Sequence, residues 1–123
     1  MSKTALRLTD DELKIYQPDK RVRATATEER WSEAWQVARA AAALLRREFG
    51  ASRVVVYGSL ADRARFTRWS DIDLAAWGIP PALFYRAVAA VIGLSAQFKV
   101  DLVSPDDVRP SIRRAIELES VDL

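Results

Sequence analysis

Residues 53–74 read RVVVYGSLADRARFTRWSDIDL, and the two aspartates one residue apart near the end of this stretch decide how the chain is interpreted. We predict a strand from Asp71 to Trp77. A strand places alternate side chains on the same face, so the carboxylates of Asp71 and Asp73 point one way while Ile72 and Leu74 point the other. Two carboxylates side by side on a half-buried sheet are costly without a counter-charge, and a divalent metal ion is the usual source of that charge.

A third aspartate lies inside a later apolar strand. Residues 98–103 read FKVDLV, which predicts a strand in which Val100 and Leu102 alternate against Asp101. If this strand lies beside the one that carries Asp71 and Asp73, the three carboxylates converge on one face of the sheet. Such a cluster repels itself unless one or two divalent ions sit between its members.

The step Gly58-Ser59 supplies the complementary half of a phosphoryl-transfer site, because it ends the predicted β-branched strand Arg53–Tyr57. Glycine lets the backbone turn sharply and lets a phosphate approach closely, and Ser59 offers both an N–H and a hydroxyl to an anion. A Gly-Ser turn or an Asp-x-Asp pair is ordinary when it occurs alone. Their spacing, together with Asp101, favours a site that binds a triphosphate and metal ions.

The amino-acid composition limits which kinds of domain, partner and site the chain can have. The chain has 123 residues, enough for one domain, so a large substrate must be held partly by another molecule. It has 19 basic and 17 acidic residues, a balance that gives no long basic track for nucleic acid. Cysteine and histidine are absent, which excludes disulfides, Cys/His zinc sites and Ser-His-Asp triads. Any metal must be held by oxygen, which favours magnesium or manganese.

The sequence has no apolar signal core and no stretch that predicts a membrane span. Together with the lack of cysteine, this leads us to expect a cytoplasmic protein without a membrane partner. We also expect no direct sequence-specific binding of nucleic acid.

The longest predicted helix runs from Glu28 to Phe49, with Thr27 as its N-cap and Gly50 as its end. Its two tryptophans are interpreted as core or partner interface, since no basic residues interleave them as in single-strand binders. Six residues at helical spacing form its apolar stripe: Trp31, Trp35, Ala38, Ala42, Leu45 and Phe49.

Three further helical segments are predicted, giving the order αβ(α)βαβα. A short helix covers Leu60–Arg65, a longer one covers Pro81–Leu94, and Ser104-Pro105-Asp106 opens one or two segments through Ile116. We assign residues 1–27 to an N-terminal extension with a short helix that begins at a capping box, Thr9 to Glu12. Residues 28–123 form the domain, of α/β (α+β) class.

The runs Gly58-Ser59-Leu60-Ala61, Phe66-Thr67 and Ser70-Asp71-Ile72-Asp73-Leu74 together resemble the signature of the DNA polymerase β-like nucleotidyltransferase superfamily. More narrowly, they resemble the minimal nucleotidyltransferases that occur as antitoxins beside HEPN-domain RNase toxins. The resemblance covers about residues 28–123, and Val100–Val103 matches the strand of the third carboxylate. It implies a small mixed β-sheet flanked by helices.

The resemblance also implies roles for single residues. Gly58 and Ser59 would hold ATP, with Ser70 beside them, while Asp71 and Asp73 would ligate two magnesium ions. Asp101 would complete one metal site and help to activate the incoming hydroxyl, so these aspartates are both the catalytic and the metal-binding candidates. Family members of this type transfer AMP from ATP onto a tyrosine of the partner toxin, which silences its RNase activity.

One residue departs from the family pattern. Many relatives have a glycine near the position of Arg63, where an arginine could contact phosphate or could narrow the pocket and impair catalysis. We place Arg63 among the candidate nucleotide-binding residues, and Arg65 and Arg68 raise the same question. Two alternatives stay open beside the adenylyltransferase: an antitoxin with little turnover that acts by stoichiometric binding, and a transferase acting on a small hydroxyl compound.

Overall fold

The computed structural model describes residues 25–123. The predicted short helix from Thr9 and most of the N-terminal extension 1–27 lie outside the described residues. The regular elements are α1 (Glu28–Phe49), β1 (Arg53–Tyr57), β2 (Ile72–Trp77), α2 (Phe84–Ile92), β3 (Val100–Val103), α3 (Pro110–Glu119) and β4 (Val121–Asp122). Short 3-10 segments cover Gly58–Ala61, Pro81–Leu83 and Pro105–Asp107.

The strands form one mixed sheet in the order β3-β2-β1-β4. β1 runs antiparallel to both β2 and β4, whereas β2 and β3 are parallel. The register places Asp73 opposite Tyr57 on one side and opposite Asp101 on the other. The predicted α+β class, with a small mixed sheet flanked by helices, is confirmed.

Helices α1 and α2 cover one face of the sheet and form the larger part of the core. Alternation along β1 and β2 sends Val54, Val56, Ile72 and Leu74 to this face. The opposite face carries a smaller cluster in which α3 packs on the sheet: Val55, Tyr57, Ala75 and Ile116. Because α3 is the only described helix on that face, part of it remains open near the ends of the strands.

α1 has the limits that its local signals predicted. The Thr27 side chain accepts a hydrogen bond from the Arg30 N–H at 3.1 Å, and Gly50 ends the helix with φ 75°. The two tryptophans of the stripe lie half-buried at the edge of the core, with ring centroids 6.0 Å apart in an edge-to-face arrangement.

Two strands are shorter than predicted. β2 begins at Ile72, so Asp71 lies at the entry to the strand and not inside it. β3 begins at Val100 and not at residue 98, because the Ser95 hydroxyl accepts hydrogen bonds from the N–H groups of Gln97 and Phe98 and holds this segment in a turn.

The helical predictions are right in place but wrong in extent. The expected helix over 60–65 is a single 3-10 turn, Gly58–Ala61, since the Asp62 carboxylate accepts the Ala64 N–H and turns the chain away. Pro81–Leu94 divides into a 3-10 turn and α2. β4 was missed because two residues carry no periodicity.

Among residues 25–123, no helix is long and apolar enough to cross a membrane.

Leu74 and Leu118 offer a matched test of where the stability originates. Leu74 is fully buried beside Asp73, whereas Leu118 is 66% exposed on α3. We expect Leu74→Ala to lower the free energy of unfolding by about 2–5 kcal/mol because it leaves a cavity. Leu118→Ala should change it by less than about 0.5 kcal/mol. Urea unfolding measures both, and equal losses would contradict the assignment of the core.

Candidate active site

The end of β1 and the beginnings of β2 and β3 meet at one edge of the sheet. Tyr57 is the last residue of β1, Asp73 is the second residue of β2, and Asp101 is the second residue of β3. Because in-register partners share a face, these three side chains lie on the sheet face opposite α1 and α2. The structure thus brings Asp73 and Asp101 together, and we call this place the carboxylate edge.

The electrostatics of the carboxylate edge are unfavourable for negative charge. The pKa of Asp73 is raised to about 6, chiefly by burial and also by the charges of Asp101 and Asp71, while Lys99 acts in the opposite direction. The pKa of Tyr57 is raised to about 12, chiefly by burial and also by the charges of Asp73 and Asp101. The phenol is therefore neutral at physiological pH, and the carboxylates lack a full counter-charge.

Asp71 stands at the margin of this group. It is half-buried at the entry to β2, where the Ile72 N–H donates to the Lys99 carbonyl at 2.9 Å and joins the strand to β3. Within residues 25–123, no group of three or more acidic side chains is assembled closely enough to hold a metal ion alone. Magnesium in phosphoryl-transfer sites commonly uses one or two carboxylates together with substrate phosphates, and the pair of Asp73 and Asp101 fits that mode.

Gly58 lies against the carboxylate of Asp73. Its φ is +75°, which favours glycine, and a Cβ built there would lie 2.7 Å from Asp73 Oδ2. A glycine is thus required both by the backbone and by the close approach of the carboxylate. Ser59 follows in the 3-10 turn, where its carbonyl accepts the Asp62 N–H at 3.1 Å and its side chain is partly exposed. The predicted phosphate-binding step is therefore adjacent to the carboxylate edge.

Ser70 shapes the chain just before the carboxylates. Its hydroxyl accepts the Thr67 N–H at 2.9 Å and lies 3.2 Å from the Thr67 hydroxyl. The Ser70 N–H donates to the Thr67 carbonyl at 3.1 Å, which closes a turn. In the described structure Ser70 stabilises the turn that directly precedes Asp71 and β2.

Arg63 contacts the beginning of α1. Its Nη2 donates to the Ala26 carbonyl at 2.8 Å and lies 3.2 Å from Glu28 Oε1. Its guanidinium also lies over the ring of Trp31, 5.3 Å from the centroid. The expected contact of Arg63 with nucleotide stays a prediction, and the structure shows this side chain engaged elsewhere.

The two neighbouring arginines also have protein partners. Arg65 Nη1 lies 3.6 Å from Glu119 Oε1 on α3, an exposed ion pair. The guanidinium of Arg68 lies over the ring of Trp69, 4.8 Å from its centroid. Neither contact involves the aspartates of the carboxylate edge.

Sequence reasoning missed two residues that are electrostatically coupled to Asp73, Tyr57 and Lys99. Tyr57 directly precedes Gly58, and the same alternation that orients the aspartates would have placed it on their face. Lys99 directly precedes β3, and its positive charge opposes the rise in the pKa of Asp73. The position of Lys99, two residues before Asp101, could have indicated that it lies near the site. Its effect on the pKa of Asp73 depends on the pairing of β2 with β3.

A groove with a volume of about 630 Å³ lies elsewhere in the described structure. It runs between α1 and the C-terminal strand, and its lining includes Trp31, Trp35, Arg39 and Leu123. The groove contains none of the predicted site aspartates. Concavity alone would place a ligand there, but converging carboxylates beside a glycine turn are a stronger indication of chemistry than volume is.

Gly58 and Gly50 provide a matched pair for testing the site geometry. Both have φ +75°, so an alanine carries the same backbone strain at either position, but a Cβ at Gly50 meets no atom within 4 Å. We expect Gly58→Ala to push the Asp73 carboxylate outward and to lower its pKa, because a more exposed carboxylate ionises more easily. Carboxyl NMR titration measures this pKa. An identical Asp73 pKa in Gly58→Ala and Gly50→Ala would contradict the contact.

The raised pKa of Asp73 predicts how stability depends on pH. The pKa of Asp73 in the folded protein, about 6, lies above its ordinary value of 3.8. The contribution of this side chain to the free energy of unfolding is therefore stabilising at acidic pH and is lost as pH rises through 6. The side chain is partly exposed, so we expect Asp73→Asn to be more stable than the unchanged protein by about 1–2 kcal/mol at pH 8. The difference should vanish near pH 4. Urea unfolding with a metal chelator measures it, and a pH-independent difference would refute the electrostatic origin.

Comparison with solved structures places this geometry in a known fold. One similar structure is named a "putative minimal nucleotidyltransferase", with a TM-score of 0.58 and 29% sequence identity, covering 76% of this chain and 95% of that one. Another is a mutant form of the toxin–antitoxin complex MntA–HpeT, with a TM-score of 0.54 and 20% identity over 69% of each chain. No protein-family model matches the sequence, and no curated protein matches it.

The first of these structures is matched over nearly its whole length. The second supports the fold alone. The comparison confirms the resemblance of this chain to the minimal nucleotidyltransferases of the DNA polymerase β-like superfamily, whose fold it has.

Proposed function

We propose that the protein is a metal-dependent nucleotidyltransferase antitoxin that transfers AMP from ATP to a tyrosine hydroxyl of a cognate HEPN RNase toxin. The observation that carries the proposal is the in-register pairing of Asp73 with Asp101 beside Gly58. This pairing places oxygen ligands and a close-approach turn at one edge of the sheet, as nucleotidyl transfer requires.

The residues of the site have complementary tasks in this proposal. Gly58 and Ser59 bind the triphosphate through backbone N–H groups and the Ser59 hydroxyl, while the turn held by Ser70 fixes the approach of Asp71. Asp73 and Asp101, with Asp71 at the margin of the pair, would hold magnesium or manganese, which neutralises phosphate charge when it is bound.

The transfer itself is a displacement at the α-phosphorus of ATP. The tyrosine oxygen forms the new P–O bond, the bond to the β-phosphate oxygen breaks, and pyrophosphate leaves with that electron pair. Asp101 lies on the open sheet face and accepts the proton of the incoming hydroxyl. Tyr57 stays protonated, because burial raises its pKa to about 12, and it does not compete for that proton.

In this proposal the acceptor hydroxyl comes from a second molecule. Residues 25–123 form one sheet with its helices and contain no additional substrate-holding domain. One of the similar solved structures is a toxin–antitoxin complex, which supports a protein toxin as the source of the hydroxyl. Such a partner would bring its tyrosine to the open side of the carboxylate edge.

A stoichiometric antitoxin is the second candidate function. The contacts of Arg63 with Ala26, Glu28 and Trp31 favour it, because they occupy the one side chain that departs from the family pattern close to the phosphate turn. If those contacts constrict the turn, the protein would neutralise its partner by binding with little turnover.

Labelled ATP separates the two functions. We expect magnesium, labelled ATP and the toxin from the adjacent gene to give label on the toxin. Asp73→Asn and Asp101→Asn should lower labelling by at least about 100-fold, since each removes a charge from the metal and acceptor site. Asp107→Asn, an exposed aspartate after β3, should retain full labelling.

Unchanged labelling in Asp73→Asn and Asp101→Asn would overturn the assignment of the site. A stable complex with the toxin that never becomes labelled would support the stoichiometric antitoxin instead. Circular dichroism of each variant checks whether the fold is retained.

A further inference from the structure

We propose that Arg63 is a positioning residue that clamps the phosphate turn to the beginning of α1, and that it acts on nucleotide binding through this clamp and without touching phosphate. The proposal rests on the proposed function for its kinetic consequences. Its structural part concerns the connecting loop, residues 62–70, which joins the Gly58–Ala61 turn to Asp71.

The guanidinium of Arg63 has three different partners, one just before α1 and two in the first turns of α1. It donates to the Ala26 carbonyl at 2.8 Å, pairs with Glu28 Oε1 at 3.2 Å and covers the ring of Trp31. The Arg63 side chain is 33% exposed, far less than the 55% of Arg65 in the same loop. A planar guanidinium can satisfy a carbonyl, a carboxylate and an aromatic face together, which a flexible ammonium cannot do.

The backbone of the connecting loop is attached to the same segment. The Ala26 N–H donates to the Phe66 carbonyl at 2.9 Å, and Thr25 forms an isolated antiparallel bridge with Thr67. The side chain of Phe66 is completely buried in the core. Arg63 and Phe66 thus fix the loop from two sides, one through polar contacts and one through packing.

The clamp is connected to the phosphate turn by a short series of hydrogen bonds. The Asp62 N–H donates to the Ser59 carbonyl at 3.1 Å, and the Arg65 N–H donates to the Asp62 carbonyl at 2.9 Å. Arg63 lies between these two bonded residues, so a shift of its backbone displaces Asp62 and, through it, the turn at Ser59. The position of the phosphate turn therefore depends on the beginning of α1.

A direct phosphate contact would require Arg63 to release its present partners. Charge-assisted hydrogen bonds are among the stronger polar contacts, and leaving the Ala26 carbonyl without a donor has a cost because Ala26 is buried. The observed contacts therefore favour a role in holding the loop.

Two variants of Arg63 and one control of Arg65 test the clamp. Arg63→Ala removes all three contacts, while Arg63→Lys keeps the charge but loses the planar group. Arg65→Ala removes an exposed arginine two residues away whose partner is on α3. Hydrogen exchange of amides 58–67 is measured in the protein without nucleotide, and KM and kcat for ATP are measured with the toxin.

We expect Arg63→Ala to accelerate exchange of amides 58–67 about 5-fold, because partly exposed polar contacts contribute only modestly to local stability. KM for ATP should rise about 5-fold with kcat within about 2-fold, because a misplaced turn weakens ground state and transition state alike. Arg63→Lys should lie between the unchanged protein and Arg63→Ala. Arg65→Ala should leave exchange and both constants unchanged.

Two results would overturn the proposal. Unchanged exchange in nucleotide-free Arg63→Ala, together with a raised KM, would assign Arg63 to a direct phosphate contact. A fall in kcat at constant KM, with faster exchange throughout the chain, would mean general loss of folded protein. The exchange measurement needs neither nucleotide nor toxin, so a lack of transfer activity would count against the proposed function and leave the test of the clamp intact.

Discussion

The repulsion between Asp73 and Asp101 is the constraint on which the rest of the structure depends. Strand pairing fixes these carboxylates opposite each other, and burial together with the charge of Asp101 raises the pKa of Asp73 to about 6. Apolar residues at these two positions would make the fold more stable, as the apolar residues on the other face of the same strands do. The arrangement becomes favourable when a cation and a polyanionic ligand share the edge, which connects the electrostatic cost to nucleotide binding.

The two faces of the sheet divide the tasks of stability and chemistry. Apolar residues alternate with the aspartates along β2 and β3, so Leu74 and Leu102 anchor the strands from the helical side. Their burial makes the positions of Asp73 and Asp101 rigid, and Gly58 brings the phosphate turn against Asp73. Packing on one face thereby organises a site on the other in advance of any ligand.

The features that follow from local chemistry could be predicted from the sequence. The limits of α1 follow from the Thr27 cap and the left-handed Gly50, and the shared face of Asp73 and Asp101 follows from strand alternation. The contacts of Arg63 could not be predicted, because its partners lie more than thirty residues earlier and meet it only through tertiary packing. The raised pKa of the site likewise requires knowledge of which strands are neighbours.

The most direct test is a crystal structure of the protein with manganese and a non-hydrolysable ATP analogue, using anomalous scattering to locate the metal. We predict a manganese peak bound by oxygens of Asp73 and Asp101, with the triphosphate against Gly58 and Ser59. A nucleotide bound in the groove at Trp31 and Trp35, with no metal at the two aspartates, would contradict the account.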